Sequence, residues 1–176
     1  MKKSEIHIGL INPKSPANVG AVMRAAGCFG VGAVLYTGGR YDRAEKFRLD
    51  TRRARHKIPL MGVDSLLDNL AADMQLVCVE LVEGAMPLPE YQHPDRAFYV
   101  FGPEDGTIAQ DVIDRADAVV YVPTSTCMNL AATINVVLYD RLAKSDLSFA
   151  GNELIRRSRD TNNTVRVSAP VAEVLK

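Results

Sequence analysis

Net charge is absent from this 176-residue chain, cysteines number only three, and aromatic residues make up 6%. No apolar run approaches the roughly 20 residues that cross a bilayer, which excludes a membrane-spanning helix. Cys28, Cys78 and Cys127 are odd in number and far apart. That spacing excludes a disulfide framework and a thiolate metal site, so no metal is expected, and it points to a reducing cytoplasm. Two lysines open the chain, but Glu5 and His7 break the apolar stretch behind them and no small-residue cleavage site follows. A secretion signal is therefore not expected. A Gly-x-Gly-x-x-Gly fingerprint opening a helix is missing too, since Gly27, Gly30 and Gly32 fall where a helix ends. With no Walker sequence either, a dinucleotide or nucleoside-triphosphate site is not expected.

The chain does have a hydrophobic fraction of 47%, enough for one core of ordinary size, and 24% charged residues. The neutral total hides a dipole. From Arg40 to Lys57 there are eight basic residues against three acidic ones. From Asp64 to Asp117 there are twelve acidic residues against Arg96 and Arg115. The basic stretch suits a polyanion, or is a solvated helix face.

Ile6–Ile11, Ala33–Tyr36, Gln75–Val79, Ala97–Phe101 and Ala118–Val122 read as short, almost wholly apolar strands. Between them, helical spacing runs from about Val19 to Cys28 with Asn18 as its cap, from Asp64 to about Leu70, and from about Ala109 to Arg115. Asn129 opens an apolar helix reaching about Leu142. The basic segment Arg40–Lys57 fits a short helix or a loop. Such alternation predicts an α/β fold, a parallel sheet covered by helices on both faces. The expected organisation is one domain over 1–144 and a polar, basic arm over 145–176, with Arg156, Arg157, Arg159 and Arg166. Cys28 and Cys78 are expected in the core.

In such a sheet, ligands bind beyond the carboxyl ends of the strands. Three strand-end loops qualify here: Glu80–Gly84, Gly102–Gly106 and Pro123–Asn129. Their glycines and small polar residues let backbone groups approach a small ligand. A flavodoxin-like ligand protein shares these features. His7, His56 and His93 are general-base candidates by chemistry alone.

Three motifs in order narrow the choice. Asn18-Val19-Gly20-Ala21-Val22-Met23-Arg24 resembles the first motif of the SpoU/TrmH-like RNA ribose methyltransferases, within the SPOUT superfamily. Phe101-Gly102-Pro103-Glu104-Asp105-Gly106 resembles the second. Val122-Pro123, Met128-Asn129-Leu130 and the helix to Tyr139-Asp140 resemble the third. The likeness covers roughly Ile6–Leu142 and is strongest to small members, without an added RNA-binding domain, that act on tRNA anticodon loops.

The resemblance implies a C-terminal deep trefoil knot, a homodimer and S-adenosylmethionine bound in the knot loops. It implies methyl transfer to a ribose 2′-hydroxyl, with tRNA favoured over rRNA; the alternatives are an rRNA 2′-O-methyltransferase and a non-catalytic module binding cofactor and RNA on the same fold. By position, Glu80, Gly102, Val122 and Cys127 line up with cofactor contacts, and Leu81, Pro123, Met128 and Leu130 are their neighbours. Arg24, Asn18, Glu104 and Asn129 line up with the catalytic group. Arg24 acts there as base or orienting cation; because arginine stays protonated, gripping the phosphate and polarising the hydroxyl is the more conservative role. Glu104 either anchors the arginine or caps a turn. Cys127 stands where the family usually has serine, a stronger hydrogen-bonding partner. RNA contact falls to Arg40, Arg43, Arg52, Arg53 and Arg55, which bind phosphate without reading sequence.

Overall fold

A computed structural model describes residues 5–45, 58–147 and 150–167. The chain divides into two compact units, with the boundary in the sequence between Ser145 and Asp146. In the first unit, seven strands form one sheet: β1 (Glu5–Leu10), β2 (Ala33–Tyr36), β3 (Leu60–Gly62), β4 (Gln75–Val79), β5 (Met86–Pro87), β6 (Arg96–Phe101) and β7 (Ala118–Tyr121). Their order is β3-β2-β1-β6-β4-β7-β5, and every pairing is parallel.

Alternation along the strands sorts the core into two layers. Ile6, Ile8 and Leu10 of β1 share one face with Val77, Val79, Tyr99 and Phe101. That face is covered by α1 (Pro16–Phe29) through Val19, Val22 and Met23, and by α4 (Leu130–Ala143) through Ile134, Val137 and Leu138. Leu35, Leu76, Cys78, Phe98 and Val100 point the other way. They meet Leu66 and Ile108, with Val112 and Ile113 of α3 (Gln110–Ile113) packed against them. A strand buried on both faces has no polar side to show, which explains the uninterrupted apolar runs. The parallel sheet covered on both faces is as expected.

Several local expectations need correction. Helix α1 starts three residues earlier than its apolar period suggested. Ser15 is its cap, accepting from the Asn18 amide at 3.3 Å, and Pro16 takes the first turn. Proline's fixed φ and missing N–H suit that position, so Asn18 is inside the helix and not its cap. Asp64 caps nothing: only a 3-10 turn forms, over Leu67–Asn69, with the Ser65 hydroxyl accepting from the Asp68 amide. Strands β3 and β5 were not anticipated, because three and two residues carry no period. Cys28 is exposed near the end of α1, whereas Cys78 is buried. Burial, reinforced by the Glu80 charge, pushes the Cys78 thiol up to about 12, so it stays protonated packing. The basic segment begins as α2 (Arg40–Glu45); its remainder, with Arg52, Arg53, Arg55 and His56, lies outside the described residues.

The far end of α4 is tied down by polar groups. His93, with its side chain 4% exposed, lies 2.8 Å from Asp140 Oδ2 and 2.6 Å from the Tyr99 hydroxyl. Arg141 donates to the Tyr99 hydroxyl and to the Asp95 carbonyl. Lys144 Nζ donates to Asp140 Oδ2 and to the carbonyls of Leu88 and Tyr91. The second unit contains α5 (Asn152–Ser158), a helix in a stretch whose sequence has no strong period. No helix among the described residues is long and apolar enough to cross a membrane.

Candidate functional site

Because the sheet is parallel and in register, its carboxyl ends share one edge. Leu10 stands opposite Tyr36 and Phe101, Phe101 opposite Val79, and Val79 opposite Val120. The loops that leave this edge enclose a cleft of about 750 Å³, counting the part open to solvent. Seven of the eight residues expected at the cofactor line it: Glu80, Leu81, Gly102, Val122, Cys127, Met128 and Leu130. Pro123 is exposed and does not.

Glu80 fastens two of these loops together. One carboxylate oxygen accepts from the Leu81 amide at 2.9 Å, the other from the Ile108 amide at 3.0 Å. The chain passes the carboxylate so closely that a Cβ on Gly102 would lie 2.7 Å from Glu80 Oε2. Any side chain there would push the carboxylate aside. The carboxylate keeps lone pairs for a further donor in the cleft.

Glu104 also lines the cleft, but it faces α1. It accepts from the amides of Lys14 and Ser15, at 3.0 and 3.2 Å, and from Asn18 Nδ2 at 3.3 Å. Partial burial pushes its pKa up, but these donors together outweigh burial and hold the carboxyl below its ordinary range. Glu104 therefore caps the turn that starts α1 and grips Asn18. Its partners among the described residues do not include Arg24.

Arg24 is exposed on α1, outside the cleft lining, and among the described residues makes no ion pair. Asn129 caps α4: its Oδ1 accepts from the Ala132 amide at 2.8 Å. Of the four catalytic candidates, Glu104 alone lines the cleft. Arg43 is exposed at the end of α2. Arg40 is engaged instead. It donates to both Asp105 oxygens, at 2.8 and 3.0 Å, and to the Asn12 carbonyl.

Tyr121, Thr124 and Thr133 line the cleft although the sequence did not mark them. Thr133 had a readable signal, as a hydroxyl four places after Asn129 in an apolar helix. Asn12 had none.

A family model described as the SpoU rRNA Methylase family matches residues 5–139. Among curated proteins, none matches. Among solved structures, an rRNA methyltransferase from Sinorhizobium meliloti is 18% identical with a TM-score of 0.66, over 80% of this chain and 56% of that one. The SpoU methyltransferase AviRb from Streptomyces viridochromogenes, in complex with the cofactor AdoMet, is 16% identical with a TM-score of 0.64, over 82% and 59%. A structure concerning 2-OH methylation of C/U34 on tRNA is 21% identical with a TM-score of 0.66, over 82% and 92%. The chain thus spans well under two thirds of the first two proteins, and at these identities the likeness is one of fold. The family match covers residues 5–139 of 176 and takes in every loop of the cleft, and on that ground the chain belongs to the SpoU rRNA methylase family.

Proposed function

We propose that this protein is an S-adenosylmethionine-dependent RNA methyltransferase acting on a ribose 2′-hydroxyl, with tRNA rather than rRNA as substrate. One observation carries the reading. The strand-end cleft is built from the residues that the family resemblance assigns to the cofactor, and Glu104 joins its wall to the first motif. The cleft's character fits the group. Leu81, Val122, Met128 and Leu130 offer apolar walls for an adenine ring, and Glu80 offers an acceptor for a ribose hydroxyl. Carboxylates at Glu80 and Glu104 suit a ligand bearing positive charge. The bound cofactor supplies an electrophilic methyl group on a sulfonium.

The residues of the chain then have little bond-making to do. Alignment of donor and acceptor is worth on the order of 7–11 kcal/mol of barrier. Glu104 fixes Asn18 and the start of α1. Asn129 fixes the start of α4. Arg24 grips the nucleotide phosphate and polarises the hydroxyl, whose proton is released to solvent as the methyl is transferred. Arg43 belongs to the RNA-facing surface, with Arg52, Arg53 and Arg55 beside it in sequence. We read the cleft loops as those of the family's deep trefoil knot.

Support for tRNA comes from one neighbour: the structure concerning 2-OH methylation of C/U34 on tRNA matches over 82% of this chain. A homodimer fits the exposed small residues of α1, Gly20, Ala21 and Gly27, and Tyr139 of α4, which is 64% exposed. The cytoplasm fits three free cysteines and an RNA substrate. The deciding experiment is nucleoside mass spectrometry on tRNA and rRNA from cells lacking the protein. Loss of one 2′-O-methylnucleoside from tRNA is expected. A lost base methylation, or a loss confined to rRNA, would overturn the finer reading.

A Gly102→Ala change tests the cleft itself. Its Cβ forces Glu80 to release the Ile108 amide, at a cost near that of one partly buried hydrogen bond, about 1.4 kcal/mol. Calorimetry with S-adenosylmethionine should show roughly tenfold weaker binding. Unchanged affinity would place the cofactor elsewhere.

A further inference from the structure

We propose that Arg40 is a positioning residue for methyl transfer, locking the turn after β1 to the cleft loop after β6, and not a phosphate contact. The inference rests on the methyltransferase reading above. Arg40 opens α2 beside the basic segment, where it looked available to RNA. Its guanidinium is committed inward: Nε and Nη2 donate to the Asn12 carbonyl, and Nη1 donates to both oxygens of Asp105. A planar fork suits two acceptors at once, and the side chain is only 25% exposed.

The atoms it joins have no slack. Asn12 takes a left-handed backbone, φ 43°, a conformation asparagine tolerates better than most residues. Against it stands Gly38, φ 76°, where a Cβ would come within 2.3 Å of Asn12 Oδ1. The turns after β1 and β2 therefore interlock. Beyond Asn12, consecutive carboxylates hold the turn on both sides. Glu104 takes the amides of Lys14 and Ser15, while Asp105 takes Arg40 and, at 3.4 Å, Lys14 Nζ. Contacts run from Arg40 through Asp105 and its neighbour Glu104 to Asn18, and so set α1, with Arg24 on it, against the cleft wall.

The test uses the full chain, S-adenosylmethionine and bulk tRNA. Arg40→Ala, Arg40→Lys and Asp105→Asn should each lower kcat on the order of 10- to 100-fold, the scale of a small misplacement. KM for tRNA and the salt dependence of tRNA binding should stay as in the parent. Lysine fails because one ammonium cannot serve Asn12 and Asp105 together, although it would serve a phosphate. The proposal is overturned if Arg40→Ala weakens tRNA binding and reduces the salt slope by about one, Arg40→Lys restores both, and Asp105→Asn is silent. Amide hydrogen exchange reads the lock without any transfer. Exchange at Lys14 and Ser15 should quicken in Arg40→Ala and Asp105→Asn; unchanged exchange overturns the proposal. A parent chain that methylates no RNA would defeat the methyltransferase reading, and exchange would still decide whether Arg40 locks the two turns.

Discussion

An Arg24→Ala chain is expected to lose methyl transfer by at least about 100-fold, the scale of removing one group that stabilises developing charge. Its affinity for S-adenosylmethionine and its melting temperature should not change. Both halves follow from where Arg24 stands. It is exposed, unpaired among the described residues and outside the cleft lining, so its loss removes no support from fold or cofactor. Six positions from Asn18, it projects roughly 120° around α1 from the residue that Glu104 holds. In the homodimer proposed above, that direction suits delivery of Arg24 to the cleft of the second subunit. Mixing Arg24→Ala chains with Gly102→Val chains should then restore transfer in mixed dimers, each of which keeps one intact pairing. No recovery would mean that Arg24 serves its own cleft; full activity of Arg24→Ala alone would remove it from the mechanism.

Glu104→Ala should be as damaging by a different route. Three donors, the amides of Lys14 and Ser15 and the Asn18 amide group, lose one shared carboxylate. Hydrogen bonds to a charged, partly buried acceptor suggest about 2 kcal/mol in all. For a chain of this size that corresponds to a melting temperature lower by roughly 4–8 °C. Transfer should fall with kcat, since the start of α1 is no longer fixed. The carboxyl is held below its ordinary 4.5, so the folded state binds this proton less readily than the unfolded chain. Its contribution is fully present above pH 4.5 and declines as pH drops through the lowered value. Thermal melts of parent and variant should accordingly converge in acid; a constant gap would assign the stability to another group.

The sheet was legible because burial on both faces removes alternation and leaves plain apolar runs such as Val77–Val79 and Ala97–Phe101. The cleft was legible because three loops rich in glycine or small residues follow those runs. What escaped were features set by contacts between distant segments. Ser15 displaced Asn18 as cap because proline at Pro16 fixed the helix start, a preference the apolar period does not register. Arg40 resembled its basic neighbours, and only folding brings Asp105 and Asn12, 65 and 28 positions away, to its guanidinium. Exposure of Cys28 depended on which way the last turn of α1 faces.

The polar tie at the end of α4 has a topological consequence. His93 and Asp140 are 47 positions apart, as are Arg141 and the Pro94 carbonyl it reaches, so these bonds close the intervening chain into a ring. Two of the three cleft loops, Gly102–Gly106 and Pro123–Asn129, lie wholly within that ring. The fastening resembles a cross-link made of hydrogen bonds, and it restricts the ring's ends without occupying the cleft. A protease that nicks one of these loops would therefore leave two pieces still joined at that one fastening. Such a nicked protein loses the strand-end geometry on which ligand binding depends.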